Sequence, residues 1–214
     1  MQQSCCCGGQ DLPWSGRGTG LDISGCRFSL YPMDRDFVPI ILGALTYTDT
    51  SAVWSESDAL STVYRGRLPY VVDAVRGLFV HAFKPGIHMA MEGQFSKGCP
   101  GDCDGDSLLS FDGPAPNSQV REKGFPALCK LALYPMGVSD YIDHIAGVYH
   151  MAEDAGLHPQ SIHYATRISG DIHQIFDFLE NVCHRMEQAV PHYILHFTIS
   201  VNSPTKEEDL EEDL

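Results

Sequence analysis

Apolar and polar residues alternate along several stretches of the chain and recur at helical spacing in others, and the whole order is traversed twice. Alternation over residues 26–33, 60–66 and 88–95 predicts strands, and it returns over 129–136, 161–167 and 193–201. Between the first two strands of each set the period changes. Phe37, Ile40, Ile41, Ala44 and Leu45 fall on one helical face, as do Tyr141, Ile145, Val148, Tyr149 and Ala152. Asp36 and Asp140 precede these helices. A second helix follows the third strand of each set: Val71, Val75, Leu78, Phe79 and Ala82 form one apolar face, and Ile172, Ile175, Phe176, Leu179, Val182 and Met186 the other. Pro69 suits the first turn of the former, where a missing N–H costs nothing, and Asp171 is placed to cap the latter.

The two sets are copies. Residues 26–33 read CRFSLYPM and residues 129–136 read CKLALYPM, with five of eight positions identical. A short further strand is expected near Val53-Trp54 and again near His158–Gln160. The resulting order, β-α-β-β-α-β twice, predicts an α+β fold of tandem ferredoxin-like (βαββαβ) repeats with antiparallel sheets. The expected divisions are a disordered extension over 1–24, one repeat over 25–98, a Gly-, Pro- and Asp-rich linker loop over 99–126, the other repeat over 127–204, and an acidic tail over 205–214. Helices cover one face of such a sheet and leave the other open. The repeats are therefore expected to cover each other's open faces or those of a second chain, giving a homodimer.

Charge and candidate chemistry narrow the function. The formal net charge is −14, of which the tail Lys206–Leu214 supplies −5, so the remainder carries −9. Phosphate backbones need a basic footprint, which argues against nucleic acid. No apolar run reaches the length of a membrane span, and the start lacks a basic, apolar leader, so a cytoplasmic protein with free thiols is expected. Cys99-Pro-Gly-Asp-Cys-Asp-Gly-Asp106 fails as a calcium loop: its glycine is early, and Gly113 stands where a glutamate is required. Cys99 and Cys103 lack the second close pair that zinc prefers. The histidines form no recognisable nucleophile–base arrangement, and His196, on the more polar side of the last strand, reads as a hydrogen-bonded histidine at a sheet–sheet contact. Neither catalytic residues, nor a metal, nor a cofactor is expected.

Several segments together carry a resemblance: FSLYPM (28–33), TDTSAVW (48–54), STVYRG (61–66), GQFSKGCPGD (93–102), ALYPM (132–136), SIHYA (161–165) and VNSP (201–204). They resemble the YkoF-type family of thiamin- and hydroxymethylpyrimidine-binding proteins, over nearly all of residues 24–204. The resemblance implies a homodimer that binds thiamin or its hydroxymethylpyrimidine precursor at two sites per chain, in salvage beside a pyrimidine uptake transporter. It places the ligand beside the first and third strands of each repeat. That assigns Leu30 and Thr62 to one site and Leu133 and Tyr164 to the other, with Ser61, His163 and Asp49 as further candidates. Matching the arginines that close STVYRG and SIHYATR makes Thr62 and Tyr164 equivalent, so the two sites are expected to differ in strength. Two other classes would read the same fold differently: an enzyme acting on a thiamin fragment, and a metal-sensing regulatory domain.

Overall fold

The computed structural model describes residues 23–97 and 106–205. The first unit runs β1 (Ser24–Pro32), α1 (Phe37–Tyr47), β2 (Trp54–Ser57), β3 (Thr62–Gly66), α2 (Leu68–Ala82) and β4 (Met89–Lys97). The second runs β5 (Pro126–Met136), α3 (Tyr141–Asp154), β6 (Gln160–Ile162), β7 (Ala165–Asp171), α4 (Ile172–Ala189) and β8 (His192–Val201). Each is a βαββαβ unit with antiparallel pairing, as the periodicity predicts. Pro69 sits in the first turn of α2. Asp171 caps α4: its carboxylate accepts from the His173 N–H at 2.9 Å, and Gln174 returns a side-chain oxygen to the Asp171 N–H. Asp36 and Asp140 occupy the positions before α1 and α3 without a side-chain cap bond.

The units join edge to edge, not face to face. β4 pairs antiparallel with β8, giving one eight-stranded sheet in the order β2-β3-β1-β4-β8-β5-β7-β6. The register carries a buried row across the seam, Cys26–Phe95–Leu195–Leu133, and beside it a polar row, Arg27–Gln94–His196, ending at Ala132. All four helices pack on the buried side, with α2 against α4. The expectation that the two repeats cover each other's open faces is thereby corrected: lateral pairing satisfies the edges of β4 and β8 and leaves the helix-free face continuous. On that face His196 Nε2 lies 3.1 Å from Glu92 Oε1 of the neighbouring strand, so it is hydrogen-bonded, but within one sheet and not at the expected contact between sheets.

The connection between the units is more ordered than a linker. Of two 3₁₀ turns, Asp106–Ser110 lies beside β3 and Ser118–Glu122 along α2, and Asn117, Val120 and Phe125 are buried. This explains why α2 is buried almost all round, although its sequence predicts one apolar face. Phe125 stacks on Phe83 with ring centroids 3.7 Å apart, and Tyr70 donates its hydroxyl to the Gly113 carbonyl at 2.9 Å. Arg76, on α2, spans to Asp177 of α4 at 2.8 Å, and Arg121 of the connection binds the same carboxylate. Ile23 is buried and Ser24 already opens β1, so the first strand reaches into what the sequence suggests is extension. Residues 1–22, 98–105 and 206–214, including the Cys5–Cys7 triplet, the Cys99 and Cys103 loop and the acidic tail, lie outside the described residues.

Candidate ligand-binding clefts

The apolar faces of α1 and α3 are longer than the surface they bury. In α3 only Val148 and Ala152 are buried, while Tyr141, Ile142 and Ile145 in the first two turns remain exposed. In α1 only Ile40 and Ala44 are buried, and Phe37, Val38 and Leu42 are exposed. α3 therefore meets the sheet through its later turns and its start stands clear, whereas the burial of α1 begins with Ile40 in its first turn. In the second unit the space so left is a cleft of about 650 Å³. Its floor is β5 from Leu131 to Met136, one wall is Tyr141 and Ile145, and the other is the β6–β7 hairpin with Ser161, Tyr164 and Thr166.

The strand register shows how the two units correspond. Tyr64 of β3 lies opposite Cys26, and Ile168 of β7 lies opposite Cys129. Since Cys26 and Cys129 begin the duplicated octapeptides, Tyr64 corresponds to Ile168, and Thr62 (opposite Phe28) to Thr166 (opposite Leu131). The sequence match through Arg65 and Arg167 is thus two residues out of step. Tyr164 is the counterpart of Leu60, not of Thr62, and it lies in the turn before β7 rather than in the strand.

The correction exposes a repeated feature. Ser57 pairs with Thr62 across the β2–β3 hairpin, and Ser161 pairs with Thr166 across β6–β7. Directly opposed residues point to the same side of a sheet, and Thr62 and Thr166 share the helix-covered side with Phe28 and Leu131. Each unit therefore presents two hydroxyls beside an apolar floor. In the first unit Ser57 Oγ and Thr62 Oγ1 are 2.8 Å apart. In the second, both hydroxyl residues line the cleft. Sequence reading picks out Thr62 but misses Ser57, Ser161 and Thr166; the signal was the spacing Ser-x₄-Thr, which occurs at 57–62 and again at 161–166.

Of the sequence candidates, Leu133 and Tyr164 both line the second cleft. Leu30 is the half-buried counterpart of Leu133, on the same side of β1 as Phe28 and Thr62. Ser61 is held outside this set: its hydroxyl accepts from Arg27 at 2.7 Å. Asp49 belongs to a turn, where its carboxylate accepts from the Ser51 N–H at 2.8 Å and is held below the usual carboxylate range by the Ser51 hydroxyl first and then by that N–H. His163 neighbours Tyr164 at the hairpin tip.

Among the described residues no group of three His, Cys, Asp or Glu side chains is placed to hold a metal ion. Cys26, Cys129 and Cys183 are fully buried, and burial pushes all three thiols up, away from the reactive thiolate. What the cleft of the second unit offers is an apolar slot with a paired-hydroxyl edge, suited to holding a small planar molecule. Fold and cleft together define a tandem ferredoxin-like chain with a candidate site in its second repeat, whose hydroxyl pair recurs in the first.

The chain matches the model of the YKOF-related Family over residues 23–102 and again over 126–206, one match per repeat, and it belongs to that family. It is 42% identical over 185 residues, covering 86% of this chain and 92% of the relative, to the Bacillus subtilis (strain 168) protein named "Putative HMP/thiamine-binding protein YkoF".

Proposed function

We propose that the chain binds thiamin or hydroxymethylpyrimidine in two corresponding clefts, one per repeat, and acts by holding the ligand without a chemical step. The observation that carries this reading is the duplicated serine–threonine pair beside an apolar floor and an unburied helix start. In such a pair one hydroxyl donates to the other, which leaves one free O–H donor and free oxygen lone pairs. A 4-aminopyrimidine asks for that combination, because its amino group donates while the adjacent ring nitrogen accepts. Leu30 and Leu133 supply flat apolar contact, and Thr62 and Thr166 the polar edge. The name of the Bacillus relative supports the choice of ligand.

Calorimetric titration with hydroxymethylpyrimidine and thiamin tests the proposal, with a stoichiometry of two per chain expected. Thr62→Val and Thr166→Val remove a hydroxyl while keeping the side chain's shape. Each is expected to weaken its own site by roughly threefold to tenfold, the equivalent of about 0.5–1.5 kcal/mol, and to leave the other site unchanged. Loss of neither site in either variant would remove the hydroxyl pairs from the account, and absence of binding by the wild type would remove the ligand.

The same reading includes a homodimer and a cytoplasmic role in precursor salvage, beside uptake of the pyrimidine by a transporter. Among the described residues no helix is long and apolar enough to cross a membrane. The dimer is supported by the helix-free face of all eight strands, on which Tyr31 and Tyr134 are exposed. Light scattering at micromolar concentration is expected to give twice the 23.6 kDa chain mass, and a value at the chain mass itself would reject the dimer.

A further inference from the structure

We infer that Tyr164 determines ligand class at the cleft of the second unit by closing its ring over a planar aromatic ligand, a contact that Leu60, its counterpart in the first unit, cannot make. The inference rests on the reading above that the clefts take a flat heterocycle.

Tyr164 combines two features that intramolecular packing does not explain. β6 and β7 are joined by a tight turn in which Ile162 pairs with Ala165, leaving His163 and Tyr164 at its centre. Tyr164 has φ = 66°, the left-handed region that a glycine enters freely and that an L side chain enters only at a cost in free energy. Its side chain returns nothing for that cost within the chain, because Tyr164 is 100% exposed. A bare aromatic ring held in a strained turn suits a task outside the fold, and strained backbone of this kind concentrates at binding sites. The cleft supplies the task. Tyr164 lines it, and continuing the β5–β7 register past Leu131–Thr166 sets Tyr164 across from Leu133. A flat ring resting on Leu133 and hydrogen-bonded by Ser161 and Thr166 would present its other face to Tyr164.

The first unit builds the same hairpin by different means. Its loop is fixed by Asp58, whose carboxylate accepts from the Leu60 N–H at 2.7 Å, the Ser61 N–H at 2.9 Å and the Arg27 guanidinium at 3.0 Å. Those bonds hold the Asp58 carboxyl below its usual range, and Leu60 stays out of the left-handed region. Leu60 is 85% exposed and, by the same continued register, takes the position opposite Leu30 that Tyr164 takes opposite Leu133. A leucine offers apolar area but no π face. The two units therefore share an apolar floor residue and a hydroxyl pair and differ at the hairpin tip, aromatic beside the cleft of the second and aliphatic in the first.

The test is titration of the full chain with hydroxymethylpyrimidine, using Y164L, Y164F and L60Y, with ligand proton shifts followed by NMR. Aromatic contacts contribute beyond area burial, so Y164L is expected to weaken the second site about threefold to tenfold, with the first site unchanged. Y164F should stay within about twofold of wild type. L60Y should strengthen the first site. The upfield shift of the pyrimidine C–H and methyl protons on stacking should shrink in Y164L and persist in Y164F. Because the wild-type side chain buries nothing, Y164L should not lower Tm, and a loss of affinity accompanied by a fall of several degrees would overturn the inference. Wild-type binding that Y164L leaves intact would overturn it too, while sparing the pyrimidine assignment. If wild type ignores the pyrimidine but binds thiazole or isoalloxazine rings in a Tyr164-dependent way, the capping role stands and the pyrimidine assignment falls. Binding of no heterocycle at all would overturn both.

Discussion

Phe197→Ala is expected to cost about 3–5 kcal/mol of folding free energy and to lower Tm by roughly 6–20 °C. Phe197 lies on β8 at the seam, opposite Gly93 of β4 on one side and Leu131 of β5 on the other, and it is fully buried. A Cβ on Gly93 would come within 2.7 Å of the Phe197 ring and 2.9 Å of the Phe28 Cβ, so the ring occupies space that Gly93 leaves open. It also stacks on Phe95, centroid to centroid at 5.2 Å. Truncation therefore opens a cavity between β4 and β8 that a sheet hydrogen-bonded on both sides cannot close by moving. Because the seam belongs to both repeats, circular dichroism and the fluorescence of Trp54, in the first unit, should report one shared transition. A Tm within about 2 °C of wild type would show that the seam tolerates the cavity. Gly93→Ala probes the same space from the other side and should cost about 1–3 kcal/mol through overpacking.

The duplication was legible in the sequence because CRFSLYPM and CKLALYPM preserve both the strand period and the side-chain types. The helices were legible because each has a 3.6-residue apolar stripe. How the halves meet was not. The inward residues of β4 and β8 alternate in the same way whether the two sheets stack or join at an edge, and backbone pairing leaves no mark in a side-chain pattern. The correspondence within the third strands also misled, for a physical reason. Arg65 and Arg167 attract the eye as matching charges, but Arg65 lies opposite Gly25 and Arg167 opposite Lys130, positions that do not correspond; the partners of Cys26 and Cys129 fix the register. The exposed sides of α1 and α3 misled in the opposite direction. Phe37 and Tyr141 read as core by periodicity and are exposed, and Tyr141 stands clear because the start of α3 forms a wall of the cleft.

The divergence of the two clefts follows from the same division of labour. Floor residues Leu30 and Leu133 face the helices, and the hydroxyl pairs sit at the start of paired strands, so packing and register constrain both. Hairpin tips carry no such constraint. One is held by the Asp58 carboxylate and the other by a two-residue turn, and each leaves its central side chain free to vary. A duplicated fold can thus keep one recognition edge in two copies while the cap over each copy changes.

Asn117→Ala is expected to cost about 2–3 kcal/mol, and Asn117→Asp more at neutral pH. Asn117 is fully buried against α2, where Gly77 allows its approach: a Cβ there would lie 2.9 Å from the Asn117 Cγ. Its amide is used at both ends. Nδ2 donates to Asp73 Oδ2 at 2.9 Å and to the Asp49 carbonyl at 2.9 Å, while Oδ1 accepts from the Asp49 N–H at 2.8 Å. Alanine keeps only the backbone N–H donated to Asp73, at 2.9 Å, and strips a partner from a buried carboxylate, which is the costly side of losing a hydrogen bond. The exposed turn at Asp49 can recover water, which keeps the figure from being larger. The aspartate variant separates hydrogen bonding from shape. It sets a second carboxylate beside Asp73, and the repulsion raises the affinity of the folded state for a proton above that of the unfolded chain. A carboxyl pKa raised on folding means that stability falls as pH rises, so N117D should be closest to wild type near pH 4–5 and furthest from it at pH 7. The deficit of N117A relative to wild type should change far less over the same range. Urea titrations of the three proteins at both pH values measure this directly, and an N117D deficit that does not grow with pH would show that the two carboxylates do not meet.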